Sequence, residues 1–480
     1  MKFFIALIVG MLLNFCSCAP TNNGGGSGTE EPETTLEIAV ENLTRAMEIV
    51  DAAVNHYFTG NGMKMSRYYN PVTGTALAET GSIWMYTSAI EAVNAVMNSL
   101  VALKDEGHGE YYDAYYNKYL DLLVNLYDNA EYYRGTFTLT SYTQTRQWSV
   151  FGVNRARAKG TANVEGVENV YDDQQWLIRE LLESYKITGK ADFLAEAEYL
   201  TSYVLDGWDS TLDESGAVYG GITWGPGYTT KHACSNGPMI SPLVWLYEIY
   251  RNSDEQIVDR YVDTDHSRKS ETRRKSTYYL DYAKAVYQWQ KSHLLLAEGV
   301  YNDMMGGCSN CDIQYETIDG VSYRAHTALS RSEGPAISYN SGTMLSGAAD
   351  LYRVTREKVY NEDLTMLAAK SFEHFAKLGA TRPDYYTYDV SGFNDWFNGV
   401  LMRGYVDACD AGVDAATAVD SFQRNLDYGY DNYLTASMLP VNLLAGWSDT
   451  RNNNNVEGMF TFAFAAEYAI LARYTLSKEK

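Results

Sequence analysis

The sequence predicts an all-α fold, an (α/α)6 toroid of six helical hairpins, and three observations predict it. Apolar residues recur at three-to-four-residue spacing in about a dozen segments, while strand-like alternation is scarce. The segments fall into pairs joined by short turns such as Ile187-Thr188-Gly189-Lys190. Four long stretches, Tyr133 to Asn169, Ser215 to Ser235, Val300 to Gly334 and Leu434 to Asn455, each precede the first helix of a pair. Loops in compact domains are usually short, so a set of long ones on one face is what a substrate cleft requires. Six hairpins closing on themselves give the toroid, and an open helical solenoid is the competing arrangement. The lack of a short repeat of tetratricopeptide type favours closure.

Taken in order, the chain begins with an address. Lys2 precedes an apolar run from Phe3 to Leu13, too short to span a bilayer and typical of an export signal. The signal ends in Phe15-Cys16-Ser17-Cys18, which resembles a bacterial lipoprotein signal with Cys18 as the lipidated residue; a plain secretory signal is the alternative. Residues 1–18 are thus read as signal and 19–35 as a tether rich in Gly, Asn, Thr and Glu. Residues 36–480 are read as one domain.

Within the domain the helical patterns run from Thr35 to Tyr57, Ile83 to Lys104, Glu110 to Tyr127, Tyr171 to Thr188, Ala191 to Leu205 and Pro238 to Tyr250. They continue from Tyr278 to Leu296, Tyr339 to Val354, Asn361 to Leu378, Gly392 to Ala408, Ala415 to Tyr430 and Val456 to Leu476. A charged segment near 251–276, basic in its second half, reads as a solvated excursion between two helices.

A net charge of -23 argues against nucleic acid or acidic surfaces as partners. Tyr 41 and Trp 9 suit stacking on sugar rings, and equally suit ordinary packing. No H-E-x-x-H, G-x-S-x-G or P-loop pattern is present. Cys308 and Cys311 have the spacing of half a zinc site without a matching second pair, so a small disulfide or two free thiols is expected. Cys234 and Cys409 read as buried thiols or a long-range bridge.

The chemistry concentrates in the stretch from Glu168 to Tyr185. Trp176, Leu177, Leu181, Leu182 and Tyr185 form one helical stripe, which places Asp172 and Asp173 in the first turn. Neighbouring helix positions diverge by about 100°, so the two carboxylates flank a small space. A retaining glycosidase needs two carboxyl groups about 5–5.5 Å apart, one to attack and one to protonate the leaving oxygen. The helix N-terminus favours the ionised form of one Asp, and like-charge proximity pushes the other towards protonation. Asp in a first turn is also common for capping alone.

Here the residues meet a known family. Tyr171-Asp172-Asp173-Gln174-Gln175-Trp176, Gly220-Gly221-Ile222-Thr223-Trp224, Lys231-His232-Ala233-Cys234-Ser235-Asn236-Gly237, Ser338-Tyr339-Asn340-Ser341-Gly342 and Phe397-Asn398-Gly399-Val400, in that order, resemble the landmarks of glycoside hydrolase family 76. Ile83-Trp84-Met85-Tyr86 resembles its upstream helix. The resemblance implies the (α/α)6 fold and a retaining, endo-acting α-1,6-mannanase of fungal-type mannan. It implies Asp172 as nucleophile, Asp173 as acid/base, and no metal or organic cofactor.

Further expectations attach to single residues. Trp84 and Tyr86 are expected to line the mouth, Trp224 to form a stacking platform, and Asn236, Tyr339, Asn340 and Asp395 to bind sugar hydroxyls. Gln174-Gln175 stands where Asn-Ala is commoner, and Pro242 suggests an irregular helix start. The expected partner is a mannan polysaccharide or oligosaccharide, with membrane contact only through the lipid anchor, at the outer membrane or cell surface of a Gram-negative bacterium, as a monomer. The competing function is a non-catalytic glycan-binding surface lipoprotein, which needs no adjacent carboxylate pair.

Overall fold

The computed structural model describes residues 34–448 and 451–478. The signal, nearly all of the tether, and Cys18 lie outside the described residues. From Thr35 onward the chain forms one unit with one continuous apolar core.

Twelve α-helices are seen among the described residues: α1 (Thr35–Tyr57), α2 (Ile83–Asp105), α3 (Gly109–Ala130), α4 (Tyr171–Thr188), α5 (Ala191–Asp206), α6 (Ile240–Tyr250), α7 (Lys275–Leu294), α8 (Ser338–Thr355), α9 (Lys358–Phe375), α10 (Asn394–Asp410), α11 (Ala416–Tyr433) and α12 (Gly458–Ser477). The protein is mostly helical, as the periodicity predicts. The even-numbered helices touch in the order α2, α4, α6, α8, α10, α12, and α12 returns to α2. Each odd-numbered helix packs outside an even one, α3 on α2, α5 on α4, α7 on α6, α9 on α8, α11 on α10 and α1 on α12.

Sequence explains this division. In α12, Met459-Phe460-Thr461-Phe462-Ala463-Phe464-Ala465-Ala466 is apolar on every side and is buried throughout, as a helix surrounded by protein must be. In α3 only Tyr119, Leu123, Leu126 and Ala130 are buried, a stripe one face wide, which suits a helix with solvent on its other side. The turn after α4 is closed by Gly189, whose φ of 68° lets its N–H reach the Tyr185 carbonyl at 2.7 Å. Gly237–Met239 forms a 3-10 turn with Pro238 in its first positions, and Pro242 falls in the first turn of α6, where no intrahelical N–H is needed.

The long loops contain strands that helical periodicity does not reveal. Arg134–Thr140 pairs with Thr145–Phe151, and Gln256–Val262 with Arg268–Arg274. The second hairpin occupies the charged segment near 251–276. Its basic side chains meet acids at close range: Arg273 bonds Asp259 at 2.8 Å, Lys269 pairs with Asp263, and Arg268 pairs with Glu316. A disulfide joins Cys308 and Cys311, whereas Cys234 and Cys409 are free thiols, so no long-range bridge forms. Among the described residues no helix is long and apolar enough to cross a membrane.

The two ends of the inner ring differ. A cavity of about 530 Å³ is lined by the later turns of all six inner helices, including Glu180, Lys186, Arg353, Arg403 and Arg473. At the other end, aromatic rings from the first turns meet: Trp84 of α2 lies 5.3 Å from Trp396 of α10, and Trp396 lies 4.8 Å from Trp176 of α4. The Trp176 indole donates to the Tyr339 hydroxyl of α8 at 2.8 Å. The N-terminal parts of α2, α4, α8 and α10 therefore meet around an aromatic floor.

Candidate active site

The Asp pair stands on that floor. Val170 is extended and offers no side-chain cap to α4, so its first N–H groups find other partners. Tyr171 N–H donates to the Trp224 carbonyl at 2.8 Å, and Asp173 N–H donates to Asp172 Oδ1 at 3.1 Å. Asp172 is partly exposed and Asp173 is buried.

The two residues after the pair are anchors. Gln174 exchanges two hydrogen bonds with the Phe151 backbone, accepting its N–H at 3.2 Å and donating to its carbonyl at 2.7 Å. Gln175 donates to the Ser235 carbonyl at 2.5 Å. The first holds the Arg134–Phe151 hairpin against α4, and the second holds the loop before α6.

That loop builds the wall facing Asp172. Lys231–His232 pairs with Met304–Gly306, which pairs with Arg331–Glu333, so three segments from two long loops share one small sheet. The Trp224 ring stacks on His232 with centroids 4.8 Å apart. The Trp224 indole N–H approaches Asp172 closely enough to favour its charge, although it makes no hydrogen bond of ordinary geometry. Gly225 is required beside it, since a Cβ there would lie 2.4 Å from the Asn169 carbonyl oxygen.

The electrostatics of the pair are unequal. Burial pushes Asp172 up to about 6, against the opposing pull of the Cys234 thiol, the Trp224 indole, His232 and the Asp173 N–H. Burial lifts Asp173 well above the carboxylate range, and the charge of Asp172 lifts it further, with no donor set against either effect. Near neutral pH Asp172 is therefore the carboxylate and Asp173 the acid. Burial, followed by Asp172 and Asp303, raises the Cys234 thiol, which keeps its proton and remains a donor.

The other predicted residues divide. Tyr339 is at the site: it accepts from Trp176 and lies 3.5 Å from the Cys234 carbonyl. Asn340 is buried, donating to the Asn302 carbonyl at 3.0 Å, while its Oδ1 has no partner. Trp84 is half-buried among Phe393, Trp396 and Phe397 and helps to form the floor.

Tyr86 does not line the mouth; it is fully buried and donates to the Leu126 carbonyl at 3.0 Å, because its place on α2 faces the outer helix α3. Asn236 is fully buried and its amide is tied to its own loop instead of being presented to a sugar. Its Oδ1 accepts from Ile222 N–H at 2.8 Å, and its Nδ2 donates to the Ile222 and His232 carbonyls at 2.9 and 2.7 Å. Asp395 is buried with Oδ2 unpartnered. Burial and then Glu467 raise its pKa, and it borders a small cavity shared with Asn398 and Glu467.

Cys234, which the sequence marks only as a thiol, His232, which it marks only within a landmark, and Asp303, which it does not mark, join the site. Asp303 stands 3.8 Å from His232, and its carbonyl accepts from Ala233 N–H at 2.7 Å. The only signal for Asp303 was its position in a loop too long to be a mere connection. Among the described residues no group of three His, Cys, Asp or Glu side chains could hold a metal ion.

Residues 270–410 match the model of glycosyl hydrolase family 76. The chain resembles family 76. That match lies downstream of the Asp pair and spans α7 to α10. No curated protein matches the chain.

Among solved structures, the family 76 mannosidase Bt3792 of Bacteroides thetaiotaomicron is similar with a TM-score of 0.65 and 19% identity, covering 92% of this chain and 99% of that one. The family 76 α-mannanase BT2949 of the same species gives 0.62 and 14%, covering 92% and 97%. An inactive variant of the α-1,6-mannanase GH76A of Salegentibacter sp. HEL1_6, with two neighbouring aspartates replaced by alanine and α-1,6-mannotetrose bound, gives 0.59 and 19%, covering 90% and 99%. The fold is thus shared along nearly the whole of each of these family 76 chains.

Proposed function

We propose that the protein is a retaining glycoside hydrolase that cleaves internal α-1,6-mannosidic bonds of fungal-type mannan, on an (α/α)6 toroid. The observation that carries this reading is the unequal Asp pair at the N-terminal end of α4, one member supplied with donors and the other without. The family 76 match, the closed order of inner-helix contacts, and the mannotetrose held by the Salegentibacter relative support it.

In the first step an Asp172 oxygen attacks the anomeric carbon while Asp173 gives its proton to the departing glycosidic oxygen. The C–O bond breaks and a glycosyl ester of Asp172 forms. Esterification removes the negative charge that helps to hold Asp173 protonated, so the pKa of Asp173 falls when a base is needed. In the second step Asp173 takes a proton from water, the oxygen attacks the anomeric carbon, and Asp172 leaves as carboxylate. Two inversions give net retention. The chain's own residues perform both steps.

Export through residues 1–18 and anchoring at Cys18 complete the proposal: a lipid-held enzyme acting on glycan at the cell surface.

The roles are tested with an aryl mannoside whose leaving group needs no protonation. Asp173→Asn should recover glycosylation on this substrate, and Asp172→Asn should not. Recovery in the Asp172 variant and not in the other would refute the assignment.

A further inference from the structure

Beyond the Asp pair, two long loops meet in a second aromatic arrangement. Tyr219 lies flat on His326, with ring centroids 3.5 Å apart and planes within 9°. Tyr219 is 37% exposed. His326 covers one face of the ring, and Tyr219 nonetheless stays open to solvent.

The backing ring is fixed from behind. His326 Nδ1 meets Asp209 Oδ2 at 2.7 Å, and because a carboxylate only accepts, that nitrogen carries a proton. Asp209 is wholly buried and also accepts from Lys231 Nζ at 2.8 Å and Thr211 Oγ1 at 2.5 Å. Lys231 donates in turn to the carbonyl of Gly220, the residue after Tyr219, at 2.6 Å. The Tyr219 N–H donates to the Thr211 carbonyl at 2.9 Å. Both rings therefore hang from one buried ion pair.

The loop has little freedom to shift. Gly220 has a φ of 69°, and a Cβ there would lie 2.9 Å from the Trp208 ring. The same loop carries Trp224, the wall of Asp172, five residues further on.

A buried Lys–Asp pair is weak evidence for stability, because desolvation offsets most of its attraction. Here the pair holds a stacked imidazole that presents an open phenol plane on the loop forming the catalytic wall. A pyranose has an apolar C–H face and a polar rim, which matches a flat ring with solvent at its edges.

We propose that the open face of Tyr219 is an outer subsite that stacks one pyranose ring of a bound neutral oligosaccharide. The plane of that subsite is set by His326 and the Asp209–Lys231 pair. This rests on the glycosidase reading and adds a determinant of substrate length to it.

The test uses the full soluble chain and α-1,6-linked mannooligosaccharides of increasing length. Tyr219→Ala should raise KM about five- to tenfold on the longest substrates, with the loss shrinking as the substrate shortens and kcat unaffected. Tyr219→Phe, which keeps the ring, should restore the parent KM. His326→Ala should raise KM on the long substrates by less, since the platform remains but its plane is released. Equal KM for Tyr219→Ala and parent at every length, or a loss in kcat independent of length, would overturn the subsite. If the parent cleaves none of these substrates, the hydrolase reading falls separately. Equilibrium binding of the same oligosaccharides to parent and Tyr219→Ala then decides the platform, with equal or absent binding overturning it.

Discussion

The Cys234 thiol offers a test of how the charge on Asp172 is set. It is one of the donors that oppose the upward push of burial on Asp172, whose pKa stands at about 6. Replacing it with alanine removes a donor to a charged acceptor and leaves the wall otherwise in place. A net hydrogen bond is worth about 0.5–1.5 kcal/mol, and one pKa unit corresponds to about 1.4 kcal/mol. The Asp172 pKa should therefore rise by about half a unit to one unit in Cys234→Ala.

The reacting form is ionised Asp172, so the acid limb of kcat/KM should move to higher pH by the same amount. With a pKa of about 6, roughly a tenth of Asp172 is ionised at pH 5. The variant should then lose about three- to tenfold at pH 5 and less than about twofold at pH 8. Cys234→Ser, which keeps a donor, should stay close to the parent. The assay is a kcat/KM profile from pH 4 to 9 on one soluble oligosaccharide. An acid limb that stays put or moves down in Cys234→Ala would refute the reasoning, and so would equal behaviour of the two variants.

Other expectations follow from the same geometry. Asp172 has a folded pKa above its unfolded value of 3.8, so the native state holds the extra proton between the two. Stability therefore falls as pH rises from about 4 to about 6. Asp172→Asn should raise Tm by a few degrees at pH 8, about 1–3 kcal/mol after allowance for partial exposure, and change it little at pH 3.5. Glu467, raised to about 8 by burial and then by Glu91, behaves alike, and Glu467→Gln should stabilise above pH 8 but not at pH 4. Asp395→Asn should keep most of the activity on mannan, because its carboxyl is already protonated and faces Glu467. Gly225→Ala should lose at least about 2 kcal/mol in denaturant unfolding and nearly all turnover, since its Cβ would strike the backbone entering α4.

How much was legible follows from what each residue contacts. The α4 stripe could be read because Trp176, Leu177 and Leu181 repeat at helical spacing and all face the core. The strand Arg268–Arg274 could not, because Arg268-Lys269-Ser270-Glu271-Thr272-Arg273-Arg274 has no apolar face to alternate with a polar one. Tyr86 is expected at the mouth together with Trp84. Two positions on a helix point about 200° apart, which sends one ring to the floor and the other towards α3. Asn236 is expected to bind a sugar hydroxyl, yet it is buried with its amide tied to its own loop.

Asp303 comes beside His232 through the pairing of Lys231–His232 with Met304–Gly306 across a separation of some 70 residues, while Gln175 fixes the loop of His232 and Cys234 against α4. No local pattern encodes that pairing. The Asp209–Lys231–His326 arrangement was hidden for the same reason.

Double displacement by Asp172 and Asp173 is read from the anomeric configuration and size of the first products released from debranched α-1,6-mannan, followed by proton NMR and size analysis with the soluble domain. Short oligosaccharides are expected, with new reducing ends that appear as the α-anomer before mutarotation. Products that appear first as the β-anomer would contradict double displacement by Asp172 and Asp173, and single mannose units released from the chain end would contradict internal cleavage.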